Sequence, residues 1–67
     1  MSSLAEELPK EQARVREVLG FYKEIGPNGM FGAAMIEQSL QRADSAVMGG
    51  DLVAMIASLK ELQEIEA

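Results

Sequence analysis

The side chains in this chain that could do chemistry are carboxylates and serines. Glu6, Glu7, Glu11, Glu17 and Glu24 fall in the first helical segment, and Glu61, Glu64 and Glu66 lie near the end of the sequence. Two carboxylates held close together can serve as general acid and general base. Their sequence neighbours point elsewhere. Glu7, Lys10, Glu11 and Arg14 interleave at helical spacing, as do Lys60 and Glu64, which is the pattern of surface ion pairs worth about 0.3 kcal/mol each. Ser39, Ser45 and Ser58 have no histidine to activate them, and nothing around them supports a Ser–Lys dyad. With no His and no Cys, the two commonest zinc ligands and the usual general base are missing. A di-iron helical-bundle site fails for the same reason, because it needs a Glu-x-x-His pair. The sequence therefore leads us to expect a non-enzymatic protein with no catalytic residue, no metal, no cofactor and no small-molecule substrate.

The elements that carry these side chains are bounded by size. At 67 residues the chain makes one domain, and 48% hydrophobic residues with a mean hydropathy of +0.01 is a folding composition. The absence of cysteine rules out disulfides and favours a reducing, cytoplasmic setting. A net charge of −5 opposes attraction to nucleic-acid phosphates and to anionic lipid. No run approaches the roughly 20 apolar residues of a membrane span, and MSSLAEELPKEQ is too acidic for a signal peptide. A domain of this size buries only about 60% of its unfolded surface, so tight helix packing combined with self-association is the expected route to stability.

Three segments have helical periodicity and none reads as a strand. Leu4, Leu8, Val15, Val18, Leu19, Tyr22 and Ile25 form one stripe. Ser3 followed by Glu6 is a capping-box pattern that starts the helix near residue 4. Pro9 conflicts with it, and a short first turn broken before Pro9 costs less than a kinked helix. Gly26-Pro27 ends this first helix (4–25). Asn28 is the expected N-cap of a second helix over 29–48, with the stripe Ala33, Ile36, Leu40, Ala43 and Val47. Gly49-Gly50 closes it, and Asp51 caps a third over 51–65, with Leu52, Met55, Ile56, Leu59 and Leu62 on its stripe. The short connection makes the second and third helices an antiparallel hairpin.

The most unusual stretch is Ile25–Ile36, IGPNGMFGAAMI, which holds no charge in a chain that is 25% charged. In one reading it is the inter-helix corner, with Phe31 and Met35 plugging the core. In the other, Met30, Phe31, Ala34 and Met35 span more than one helix face and form an exposed apolar patch for a partner. Phe21 lies off the first stripe and either tucks under the connector or joins that patch. Glycine amides at a helix start can hold a phosphate, but no strand precedes these and no Lys follows them. A helix-turn-helix drawn across Gly49-Gly50 fails because DLVAMIASL offers nothing to read base edges.

The run YKEIGPNGMFGAAMIEQSLQRADSAVMGGD, Tyr22 to Asp51, is similar to short helical proteins of unknown function from proteobacterial and prophage reading frames. EIGPNGMFGAAMIE and the AVMGGD turn carry the likeness. The resemblance implies a bacterial or phage intracellular setting and assigns no functional residue. The reading that follows is a small all-α three-helix domain, dimerising into a larger helical bundle. It is a protein–protein interaction module whose interface is Phe21, Met30, Phe31, Ala34 and Met35, and whose partners are itself and a further protein. The alternative is a small acidic phage-type regulator that binds and blocks a nucleic-acid enzyme, imitating DNA with carboxylates at phosphate-like intervals.

Overall fold

A computed structural model describes residues 3–67 and contains three α-helices, with no strand among the described residues. Helix α1 spans Leu4–Ile25, α2 Met30–Gly49 and α3 Leu52–Gln63. Ion pairs and hydrogen bonds fix their directions. Asp44 of α2 accepts from Gln12 at 2.8 Å and from Arg16 at 3.1 Å, while Lys23 meets Glu37 at 3.0 Å, so α1 and α2 run antiparallel. Arg42 pairs with Glu61 across the antiparallel α2–α3 hairpin at 2.7 Å. Arg14 donates to the Leu62 carbonyl at 2.9 Å, and Tyr22 to that of Glu66 at 3.3 Å, which sets α1 parallel to α3.

The helix ends follow from local chemistry. The Ser3 hydroxyl accepts from the Glu6 amide, and Asp51 accepts from the Ala54 amide, each satisfying a donor that a helix start leaves open. After α2, Gly50 adopts φ +64° and the amides of Gly50 and Asp51 return to the carbonyls of Val47 and Ala46, a Schellman closure. Two local expectations are corrected. Asn28 does not cap α2; the chain enters that helix through a 3₁₀ turn over Pro27–Gly29, with no side-chain cap. Nor does Pro9 break the first helix, because α1 runs through it unbroken. A break there would pull Leu8 out of the interior, where it is 1% exposed, and that burial outweighs one lost backbone bond.

The core is aliphatic. Leu8, Val15, Val18, Ile36, Leu40, Ala43 and Leu62 form it, edged by Leu19, Tyr22, Met55, Leu59 and Ile65. Four stripe residues fall outside it: Ile25, Val47, Leu52 and Ile56 are 60%, 45%, 61% and 44% exposed. On α3 the inward stripe is Met55, Ser58, Leu59 and Leu62, which turns Leu52 and Ile56 away from the core.

Leu8→Ala should cost about 2–5 kcal/mol, comparable to the whole stability of a core this small, and thermal circular dichroism should show a low, shallow transition. Exposed Pro9→Ala returns an amide to the helix and should stabilise it by about 1–3 kcal/mol in the same measurement.

Candidate interaction surface

The groups with chemical potential are dispersed. Glu11, Glu37, Asp44 and Glu61 are held by Arg14, Lys23, Arg16 and Arg42, and three of these four pairs join different helices. The hydrogen bond to Glu61 and that carboxylate's charge raise the Arg42 guanidinium above its ordinary value. The expected Glu7–Lys10 and Lys60–Glu64 pairs are absent among the described residues. No three carboxylates among them converge as metal ligands. Ser39 and Ser58 are buried, and Ser45 and Ser58 line an open groove between α2 and α3 whose other walls are Ala46, Gly49, Ala54 and Ala57 with the charged Arg42, Asp51 and Glu61.

The uncharged stretch is built differently. Gly26 ends α1 at φ +87°, a backbone state that side chains disfavour. Gly29 lies against the Tyr22 carbonyl so closely that a Cβ would overlap it, and a Cβ at Gly32 would stand 2.6 Å from the Tyr22 ring. The start of α2 therefore sits directly on Tyr22. With the inward position at 32 occupied by a glycine, the neighbouring large side chains point away from the core. Phe31 is 77% exposed, Met30 60%, Met35 55% and Phe21 49%; Ala34 is exposed too. Phe31 and Met35 therefore do not plug the core. They share a groove of about 380 Å³ with Tyr22 and Gly32, walled on the far side by Glu64, Ile65 and Glu66. Met30 and Ala34 continue the apolar surface around the first turns of α2. Phe21, on α1, is exposed beside Tyr22 and does not line the groove.

Sequence reasoning missed a second exposed apolar surface, at the opposite end of α2. Val47, Met48, Leu52, Val53 and Ile56 are 44–88% exposed around the α2–α3 turn. The available signal was LVAMIASL, eight residues without a charge. The chain matches no family model, no curated protein and no solved structure. No helix among the described residues is long and apolar enough to cross a membrane.

Gly32→Ala sets the helix-propensity gain of alanine against a displaced tyrosine ring, and should destabilise the fold by about 1–2 kcal/mol in urea unfolding. Gly20→Ala, where the added methyl meets open space, should instead stabilise it by about 0.5–1 kcal/mol.

Proposed function

We propose that this protein is a non-enzymatic protein-interaction module that associates with a second copy through its apolar helix faces, in a bacterial or phage cytoplasm. Phe21, Met30, Phe31, Ala34 and Met35 are its contact surface at the α1–α2 corner. The observation that carries this reading is that both phenylalanines, the largest apolar side chains in the chain, stand outside a core too small to be comfortably stable alone. Burying them against a partner removes from water the area that the fold leaves exposed, and aromatic anchors in such patches commonly dominate binding energy. The alternative reading, imitation of DNA, has less support. Glu6, Glu17 and Glu24 share the outer face of α1, but Lys10 and Gly20 interrupt them and no continuous row of negative charge results.

Sedimentation equilibrium at several loading concentrations tests the proposal, comparing the wild type with Phe31→Asp. The wild type should associate as concentration rises. Phe31→Asp should weaken that association by at least about 30-fold, since it buries an unpaired charge at the contact, with helical circular dichroism unchanged. A wild-type chain that stays monomeric at every concentration would overturn the reading.

A further inference from the structure

The chain has no cysteine and no tryptophan, which leaves its five methionines as the peroxide-sensitive side chains. Their settings differ. Met30 and Met35 are exposed at the α1–α2 corner, and Met48 is exposed at the opposite end of α2. Met55 is half-buried against the aliphatic core. Met1 lies outside the described residues.

At the corner the two thioethers belong to an apolar surface that cannot accommodate an added oxygen once it is covered. Met35 stands four residues after Phe31 on α2 and lines the same groove, so sulfur and ring share one face of the helix. None of Phe21, Met30, Phe31, Ala34 and Met35 has a side-chain hydrogen-bond donor. Oxidation to the sulfoxide turns a flexible apolar side chain into a polar one, and its oxygen would be left unpaired in a contact made by these residues. On the free chain that oxygen is solvated. The fold is then unaffected, because neither Met30 nor Met35 belongs to the core.

We infer that Met30 and Met35 are a peroxide-modification site whose oxidation releases the corner contact, an inference that rests on the reading of that corner as the junction between two copies. The sulfur lone pair attacks one oxygen of the peroxide. An S–O bond forms as the O–O bond breaks, and the proton on the transferred oxygen passes to the departing hydroxide, giving sulfoxide and water. Sulfur loses two electrons and the peroxide gains them. The contact covers both sulfurs, so the oxidant acts on the free chain and holds it in that state. Met48 takes up oxygen without this consequence.

Hydrogen peroxide is the probe, with sulfoxide followed at each methionine by peptide mass spectrometry and association followed by sedimentation equilibrium. Conversion of Met30 and Met35 should weaken association at least about tenfold, with helical circular dichroism unchanged. Raising the protein concentration through the association range should slow oxidation at Met30 and Met35, but not at Met48, by at least about threefold. Met30→Leu combined with Met35→Leu conserves apolar volume, so this variant should associate like the wild type both before and after peroxide, even with Met48 oxidised. Wild-type association that persists with sulfoxide at both positions would overturn the inference and leave the corner reading standing. An equal loss of association in the double leucine variant would also overturn it, by placing the sensitivity at another methionine. A wild type that is monomeric before any peroxide is added would instead overturn the corner reading, and this inference with it.

Discussion

The close approach of α2 to Tyr22 is the constraint on which the rest of the molecule depends. Gly29 lies against the Tyr22 carbonyl and Gly32 against its ring, each so near that a single added carbon would collide. The Tyr22 hydroxyl also donates to the Glu66 carbonyl, so one residue of α1 gathers the start of α2 and the end of the chain. That approach lets Ala33, Ile36 and Leu40 reach the aliphatic core. It also turns the bulky residues at 30, 31 and 35 outward. The exposed corner and the small core therefore share one cause.

The balance of forces in so small a bundle explains why its surface is the informative part. Leu8, Val15 and Leu62 are almost wholly buried, yet the interior contains no phenylalanine. Among the described residues, three of the four ion pairs cross between helices, and all four are partly exposed, so they orient the helices more than they stabilise them. The large apolar side chains left outside collect at the two ends of α2. A monomer that keeps both surfaces in water forgoes burial that a small domain needs. In the proposed reading, association with a second copy supplies that burial.

Much of the architecture could be read from residue type and spacing. Ser3, Gly26-Pro27, Gly50 and Asp51 mark helix ends because each meets a local hydrogen-bonding or dihedral requirement, whatever the tertiary setting. Pro9 could not be read locally, since the burial of Leu8, a long-range contact, decides it. Asn28 had the right chemistry for a cap, but Pro27 opens a 3₁₀ turn and carries the chain past it. The inward face of α3 was the least legible. LVAMIASL is apolar or small at every position, so several rotations of the helix bury similar surface. Packing of Leu59 and Leu62 against the other helices selects the one observed, and Leu52 and Ile56 are left outside. Met30, Phe31, Ala34 and Met35 were legible as a set because they lie in an uncharged run, whereas Phe21 lies outside it. The sequence offered both a buried and an exposed reading of them, and how closely Gly29 and Gly32 allow α2 to approach decides for exposure.

The claim at the centre of this account is the proposal that the apolar surface at the α1–α2 corner is a contact between copies of the chain. A dilution series followed by amide chemical shifts tests it residue by residue, without any substitution. The account predicts concentration-dependent shifts at Phe21 and at 30–35, with the core residues Val15 and Leu40 unmoved. Spectra that stay constant from micromolar to millimolar protein would contradict it.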